Sequence, residues 1–570
     1  MSKGPVAPKD PVLKNPYFYI MQDKDVFAAQ TPDNKGVSFI YQNDNRLINS
    51  AKIAGNVTDE SMLELLRTTE GFRKLVKAIG VSIMEPQARE KVRFVYQMYG
   101  KRDTYGSGTN LILDMIADGT EQVIELDQVD WSDDDKEPGQ IRLEYENSGI
   151  LASMSVRFYL NDGYEAPEVI LDEAIDEDSK DYADMIARSL MQTGNPARIK
   201  KAIAKARRGE DCTLAYIGGS ITQGAGAIPI DKNSYAYKSY ESFANTYGTG
   251  ANVHFVKAGV GGTPSELGML RVERDILRDG KANPDIIVIE FAVNDEGDET
   301  KGVCYESLVR KCLALPNKPA VILLFAVFSY DWNLQDRLSP VGRVLDLPMT
   351  SVLDAVVPQF RLRKGEGRVL SKNQFFYDIY HPSNAGHKIM AACITNLIAA
   401  CDRMDDVEDE TEKLMEKTPA IGKTFEDVLL MDKNYVYDKA VISEGAFTET
   451  DTQLQCVEMD DVLTPVPEFP YNWMYTGKKD GKNDFFEMKI TCKSLLLIYK
   501  DSGSLEVGKA DVFVDDAYVL TADPLKNGWV HCNPVILFTN EQAAEHVVRI
   551  QMAKGDEEKK FTILGFGYVE

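Results

Sequence analysis

Apolar residues in the middle of the chain form continuous runs. Four of them, TLAYIG at 213–218, NVHFVKAG at 252–259, DIIVIEFAV at 285–293 and AVILLFAVF at 320–328, are separated by amphipathic segments with helical spacing. Continuous apolar strands that alternate with helices are typical of a parallel sheet covered on both faces. The pattern predicts an α/β domain over 186–405, in which ligands bind outside the carboxyl ends of the strands.

The two ends of the chain show the alternation of apolar and polar residues that half-buried strands have. Such runs lie before the central region at 92–100, 110–118, 122–129, 141–147 and 154–162, and after it at 494–500, 510–520, 534–540, 546–552 and 561–569. Turn residues separate the runs, which predicts antiparallel sheets. We expect jelly-roll-like β-sandwich domains over 1–185 and 406–570, with a helical insert over 62–80 in the first.

Charge and composition exclude several classes of partner. The chain has 570 residues, of which 64 are Lys or Arg and 89 are Asp or Glu, for a net charge of -25. Nucleic acids and anionic membranes attract clustered basic residues, so neither is an expected partner. The first 20 residues lack an apolar core of signal-peptide length, which predicts a cytoplasmic protein. A homo-oligomer is compatible with the sequence.

Cysteine usage gives no sign of a metal site or a disulfide framework. The eight cysteines are scattered and form no CxxC pair. Buried, reduced thiols are therefore expected, and neither a metal nor an organic cofactor is predicted.

Ser220 follows the first apolar run, in GGSITQG. Gly218 and Gly219 allow a turn that other residues would strain. One interpretation is a helix N-cap, which is a common place for serine. The other is a nucleophile held at the carboxyl end of a strand, with the N–H groups of the following helix turned toward a developing anion.

A nucleophilic serine needs a general base, and the base needs an orienting partner. His381, in DIYHPSNAG, lies between an apolar run and a helix, with Asp378 three residues earlier. One loop could bring the two side chains together, although an isolated D-x-x-H is more often structural. The other four histidines fall in predicted strands or on a helix.

Two further strand ends offer donors for an oxyanion hole. Gly262, in AGVGGT, follows the second run, where its backbone N–H could approach a substrate; a plain tight turn is the alternative. Asn294, in FAVND, ends the third run with a neutral amide; an Asx turn is the alternative there. Both lie on the side of the predicted sheet where Ser220 lies.

The order of these motifs resembles the four blocks of the SGNH, or GDSL-type, hydrolases. The resemblance covers about 211–403 and implies a three-layer α/β/α, flavodoxin-like domain with serine esterase activity. By position, Ser220 corresponds to the nucleophile, His381 to the base and Asp378 to its partner. The N–H groups of Ser220 and Gly262 and the Asn294 amide correspond to the oxyanion hole. No metal or cofactor takes part in such a mechanism.

The GGSIT and AVND forms, together with flanking β modules, are similar to those of carbohydrate acetyl esterases. This resemblance implies removal of acetyl groups from mannan- or xylan-type oligosaccharides or polysaccharides, and a C-terminal module that binds sugar or completes one wall of the site. Candidate sugar contacts are Tyr330, Trp332, Gln335 and Trp473. The alternatives are a lipid or thioester acylhydrolase of the same fold, and a carbohydrate-binding protein without catalysis.

Overall fold

The computed structural model describes residues 14–86, 90–167, 172–362, 366–460, 462–477 and 484–570. The chain divides into two compact units. The first comprises Met1–Glu177, Gly226–Ile230 and Gln359–Gly386, and the second comprises Asp178–Ala225, Asp231–Pro358 and His387–Glu570. The predicted boundaries at 185 and 405 are not tested by this division and stay predictions.

The described residues of the N-terminal region form a pair of two-residue strands, two larger antiparallel sheets and short helices. Its elements are β1 (Lys14–Asn15), β2 (Tyr17–Phe27), β3 (Ala29–Gln30), β4 (Gly36–Tyr41), α1 (Arg46–Ile53), α2 (Glu60–Leu65), α3 (Thr69–Leu75), β5 (Val76–Met84), β6 (Lys91–Gly100), β7 (Asn110–Ile116), β8 (Gln122–Glu125), β9 (Asp135–Tyr145), β10 (Leu151–Leu160) and β11 (Ala166–Pro167). The strand orders are β2-β10-β5-β8 and β3-β4-β9-β6-β7. One apolar cluster draws side chains from both sheets.

The predicted helical insert is only partly helical. Asp59 caps α2 by accepting from the N–H groups of Ser61 and Met62, and Thr68 caps α3. The helix then stops at Leu75, and the rest of the predicted helix is strand β5, which pairs with β10 and β8. The prediction of a helix over the end of this segment was therefore wrong, because strand pairing with distant residues decides its conformation.

The central region carries the predicted parallel strands. Its elements are α4 (Lys180–Ala187), β12 (Leu190–Gln192), α5 (Ala197–Arg207), β13 (Cys212–Gly218), α6 (Ser220–Gln223), α7 (Ile230–Asn233), α8 (Tyr235–Tyr247), β14 (Val253–Gly259), α9 (Ser265–Gly268), β15 (Ile286–Glu290), α10 (Val303–Leu313), β16 (Ala320–Phe325), α11 (Gln335–Val344), β17 (Met349–Ser351), α12 (Val352–Phe360), α13 (Lys372–Phe375) and α14 (Asn384–Asp402). Strands β14, β13, β15, β16 and β17 are parallel neighbours.

The C-terminal region is mostly strand. Its elements are α15 (Thr411–Met415), β18 (Leu429–Met431), β19 (Ala440–Ser443), β20 (Cys456–Met459), β21 (Val462–Pro467), β22 (Trp473–Tyr475), β23 (Phe486–Asp501), β24 (Ala510–Val514), β25 (Ala517–Ala522), β26 (His531–Met552) and β27 (Phe561–Val569). Two runs that the sequence separates, 534–540 and 546–552, belong to the single long strand β26. Sandwich architecture for the two flanking regions stays a prediction.

A hairpin from the C-terminal region extends the parallel sheet. β20 pairs antiparallel with β14, and β21 pairs with β20, so the sheet order is β12-β17-β16-β15-β13-β14-β20-β21. No pattern in the sequence predicts this pairing. It makes residues far along the chain neighbours of the loop that follows β14.

Candidate active site

Three strand ends meet at the same level of the parallel sheet. Gly218, the last residue of β13, pairs with Gly259 of β14 and with Glu290 of β15. Along the chain β14 is added on one side of β13 and β15 on the other, so the connections diverge at β13. Such a switch point opens a crevice at the carboxyl ends of the strands. The loops that carry Ser220, Gly262 and Asn294 begin there.

The nucleophile candidate is the first residue of a short helix. α6 begins at Ser220 and ends at Gln223, and the next residue, Gly224, has a left-handed φ of 106°. A Cβ on Gly219 would lie 2.2 Å from Asn294 Oδ1, and one on Gly261 would lie 3.8 Å from Ser220 Cβ. The structure thus brings Ser220, Asn294 and the glycine loop together. The helix-terminus and nucleophile interpretations of Ser220 are compatible.

The Asn294 side chain lies over the turn that precedes the serine. Asn294 starts a single 3-10 turn after β15, and its half-buried amide rests against the backbone of Gly219. Its Oδ1 is buried and makes no hydrogen bond within the described ranges. The next residue, Asp295, fixes the turn by accepting from the Ser265 N–H at 2.7 Å and the Ser265 hydroxyl at 2.8 Å. The amide is therefore held by packing rather than by an Asx turn.

Buried polar side chains contact α6 on the side that packs against the sheet and at its C-terminal end. The Thr222 hydroxyl lies 2.7 Å from the Tyr235 hydroxyl and 3.4 Å from Glu290 Oε2. Complete burial raises the pKa of Glu290 to about 8, so this carboxyl is mostly protonated at neutral pH. Lys257 Nζ donates to the carbonyl of Gln223 at 3.0 Å, where a cation suits the end of a helix.

The histidine and the aspartate form a hydrogen-bonded pair in the first unit. His381 Nδ1 lies 2.8 Å from Asp378 Oδ2, while Asp378 Oδ1 accepts from the N–H groups of Tyr380 and His381, both at 2.8 Å. Burial raises the pKa of Asp378, but the charge of His381 and these hydrogen bonds outweigh it and hold the pKa below its usual value. The ionised carboxylate accepts the Nδ1 proton, so Nε2 is the basic nitrogen.

The N-terminal region anchors the segment that carries this pair. Lys24 Nζ donates to the carbonyls of Asn373 and Phe376, and Asp172 accepts from the hydroxyl of Ser371. The Arg46 guanidinium lies 5.2 Å from the Tyr380 ring centre and contributes to lowering the pKa of Asp378. Sequence patterns gave no sign of these contacts, because the partners lie hundreds of residues apart.

Two of the predicted sugar contacts lie in the loop after β16. Tyr330 is half exposed, and its ring stacks on Trp332 with centroids 6.1 Å apart. Leu334 N donates to the carbonyl of Ala292, which ties this loop to the loop of Asn294. Gln335 begins α11 and is engaged internally: it donates to Asp354 Oδ1 at 3.0 Å and accepts from the hydroxyl of Ser351.

Trp473 does not offer a ring face to a ligand, so its prediction as a sugar contact was wrong. Its side chain is 1% exposed and packs edge-on against Phe486, with centroids 5.4 Å apart. Its indole N–H donates to Glu444 Oε1 at 3.1 Å. The residue belongs to the apolar cluster of the C-terminal sheet.

Another tryptophan, which the sequence analysis missed, lies at the glycine loop. Trp529 is 44% exposed, and a Cβ on Gly262 would lie 3.0 Å from its Cζ2 atom. It packs edge-on against His531, whose Nε2 lies 3.0 Å from the Gly262 carbonyl oxygen. The sequence carries no local signal that separates this tryptophan from Trp473, since both follow turn residues.

One buried cluster contains residue types that bind metals. Ligand atoms of Glu266, Asp298 and Cys304 lie within 4.8 Å of one another. Asp298 accepts hydrogen bonds from the N–H groups of Thr300 and Gly302. Burial raises the pKa of Glu266 to about 9 and that of Cys304 well above its usual value, so both keep their protons at neutral pH. Glu266 and Asp298 both accept from backbone N–H groups of the segment that follows β15, which they hold in place.

Comparison with known proteins defines the class. Residues 216–389 match the sequence model of the GDSL-like Lipase/Acylhydrolase family. This range contains Ser220, Gly262, Asn294, Asp378 and His381. The predicted resemblance to this family is therefore confirmed for the central part of the chain. No curated protein matches the chain.

Solved structures give the fold of a larger part of the chain. A two-domain esterase (CEX) active on acetylated mannans matches with a TM-score of 0.55 and 24% identity, over 68% of this chain and 99% of that one. The same esterase co-crystallised with mannopentaose matches with a TM-score of 0.54 at the same identity and coverage. This likeness supports a shared fold.

Within the described residues, no helix is both long and apolar enough to span a membrane.

Proposed function

We propose that the protein is a serine esterase that removes acetyl groups from acetylated oligosaccharides of the mannan or xylan type. The observation that carries the proposal is the grouping of Ser220, Gly261–Gly262 and Asn294 around one point. A hydroxyl, backbone N–H groups and a side-chain amide at such a point match the needs of ester attack.

Each residue takes one role in the proposed reaction. Ser220 attacks the acetyl carbonyl while His381 Nε2 accepts its proton. The N–H groups of Ser220 and Gly262 and the Asn294 amide donate to the tetrahedral oxyanion. Asp378 holds the Nδ1 proton of His381 and stabilises the imidazolium.

Proton and leaving group then move in a balanced sequence. The imidazolium protonates the sugar oxygen as its bond to the acetyl carbon breaks, which releases the sugar hydroxyl and leaves acetyl-Ser220. Water attacks this ester with His381 again as base, and acetate leaves while Ser220 regains its proton.

Gly226 packs closely against the loop that carries His381. Gly226, six residues after Ser220, has a φ of 87°, and a Cβ there would lie 3.2 Å from His381 Cβ. A Cβ would also lie 2.1 Å from the carbonyl oxygen of Pro382, so a side chain at position 226 would push the histidine loop away.

Several features favour a sugar ester over a lipid. Exposed rings of Tyr330 and Trp529 lie on the loop beside Asn294 and at Gly262, where flat faces suit sugar rings. A net charge of -25 suits a neutral ligand. The esterase of similar fold is active on acetylated mannans and was crystallised with mannopentaose.

Acetate release tests the proposal. Wild type is expected to release acetate from acetylated manno- or xylo-oligosaccharides, and Ser220→Ala to lose at least about 10³-fold in kcat. Ser504→Ala, the same change on an exposed turn, is the control and should match wild type. Equal activity of Ser220→Ala and wild type would refute the nucleophile. Hydrolysis of long-chain esters, with acetylated sugars untouched, would favour a lipid acylhydrolase.

A further inference from the structure

The proposed oxyanion donor Gly262 N–H is one end of a rigid unit. That N–H belongs to the peptide group whose carbonyl is Gly261 C=O. A trans peptide is planar, so its N–H and C=O point in opposite directions. Any group that holds the Gly261 oxygen therefore aims the Gly262 N–H.

Gln455 holds that oxygen. Its Nε2 donates to the Gly261 carbonyl oxygen at 2.7 Å, across 194 positions of sequence. Its Oε1 accepts from the Cys532 N–H at 3.0 Å. A backbone donor at one end and a backbone acceptor at the other leave a single orientation for the amide.

His531 contacts the next peptide group, the one between Gly262 and Thr263. Its Nε2 lies 3.0 Å from the Gly262 carbonyl oxygen. On the other side of the ring, Asn527 Nδ2 lies 3.2 Å from Nδ1 and also donates to Asn533 Oδ1 at 2.9 Å, while Asn533 Nδ2 donates to Asp501. Nδ1 also lies 3.2 Å from Asn533 Oδ1. Because the Gly262 carbonyl oxygen can only accept, the Nε2–H donates to it. Burial lowers the pKa of His531, because a charged ring is disfavoured away from water.

The glycine loop is flexible at Gly262 unless other groups hold it. Gly262 is exposed, and its φ of 70° is left-handed, a conformation that glycine leaves readily. The flanks are tied locally, since Val260 N donates to Gly218 O and the Thr263 hydroxyl donates to Val260 O. The two peptides that meet at Gly262 are instead tied to the C-terminal region.

We propose that Gln455 is a positioning residue for the esterase reaction. It orients the Gly261–Gly262 peptide so that the Gly262 N–H faces the oxyanion. By donating to Gly261 C=O it also polarises the amide and strengthens that N–H as a donor. The inference rests on the proposed function, because it assigns a helper to a donor of the proposed oxyanion hole. It makes the C-terminal region part of the catalytic machinery and not solely a sugar-binding module.

The first test removes the donor while keeping the side chain's length. Gln455→Met is expected to lower kcat for a small aryl acetate by about tenfold or more, with KM within about twofold, because a transition-state interaction is weakened. Gln453→Met, the same change at an exposed position two residues earlier, is the matched control and should keep the wild-type kcat. Rates are taken per folded molecule, with the folded fraction measured by circular dichroism.

The second test has a readout that a structural role would not give. Gln455→Glu keeps an oxygen for the Cys532 N–H but turns a carboxylate oxygen toward Gly261 O at neutral pH, which repels it. Protonation of the introduced carboxyl restores an O–H donor. The kcat of this variant relative to wild type is therefore expected to rise as pH falls from about 8 to about 5.

The outcomes separate this inference from the proposed function. An inactive wild type, or full activity in Ser220→Ala, refutes the proposed function and the inference with it. A Ser220-dependent wild type in which folded Gln455→Met keeps kcat within twofold refutes the inference alone. A constant ratio of Gln455→Glu to wild type across pH refutes it as well.

Discussion

At the scale of single residues, Asp378 decides which nitrogen of His381 can act as a base. Its two oxygens accept from His381 Nδ1, from the His381 N–H and from the Tyr380 N–H. The carboxylate is thus ionised and fixed by its own loop. The loop supplies both the carboxylate and the N–H groups that hold it, so the pair forms locally. The three-residue spacing therefore indicated that the two side chains could meet, while their catalytic role came only from the family resemblance.

Trp529 provides the sharpest test of sugar recognition. Trp529→Ala is expected to lower kcat/KM for acetylated mannooligosaccharides by roughly tenfold, equivalent to about 1.4 kcal/mol, because an exposed ring face at Gly262 is lost. Turnover of a small aryl acetate should change much less. Initial rates on both substrates measure the difference.

Trp529→Phe, which keeps a ring face, controls for the loss of bulk and should retain most oligosaccharide activity. Equal losses on both substrates in Trp529→Ala would show that the ring supports the loop and does not bind sugar.

Burial explains why one tryptophan was predicted wrongly and the other was missed. Trp473 and Trp529 both follow turn residues, and local sequence does not separate them. Trp473 pairs with Ile563 across β22 and β27, which places its ring in the apolar cluster, whereas Trp529 precedes β26 and stays outside it. The difference depends on strand pairing between distant residues.

At the scale of elements, the register of three parallel strands brings the catalytic loops together. Continuous apolar runs predict those strands well, since a strand buried on both faces has a distinctive composition. The hairpin β20–β21 was not predictable in this way. Its place beside β14 depends on antiparallel pairing with a strand some 200 residues earlier, and no periodicity records such pairing.

Glu290 gives the end of β15 a pH dependence of stability. Its pKa is raised from the ordinary 4.5 to about 8 in the folded chain. The folded state therefore keeps a proton that the unfolded state loses. Stability from this group is full below about pH 4.5 and is lost as pH rises toward 8. Glu290→Gln, which never ionises, should lose less free energy of unfolding between pH 5 and pH 8 than wild type, by at least about 1 kcal/mol.

Urea unfolding at a series of pH values measures this difference. Glu296→Gln, the same change at an exposed position in the turn that follows β15, is the control and should follow wild type. Other buried carboxyls, such as Glu266, titrate alike in all three proteins and cancel in the comparison. Identical pH slopes for wild type and Glu290→Gln would show that Glu290 is ionised in the folded chain.

At the scale of the whole molecule, each end of the chain supports a different part of the proposed chemistry. The N-terminal region holds the histidine loop through Lys24 and Asp172. The C-terminal region holds the glycine loop through Gln455 and His531. The sequence predicted both regions as accessory modules, because composition and periodicity describe a module's fold and not the loops it contacts.

The central claim is that acetyl groups pass through Ser220. The most direct measurement is mass spectrometry of protein quenched in acid during turnover of an acetylated oligosaccharide, followed by peptide mapping. We expect one added acetyl group on the peptide that contains Ser220 in wild type, and none in Ser220→Ala. Acetate release without any acetylated peptide, or with the acetyl group on another residue, would contradict the proposed mechanism.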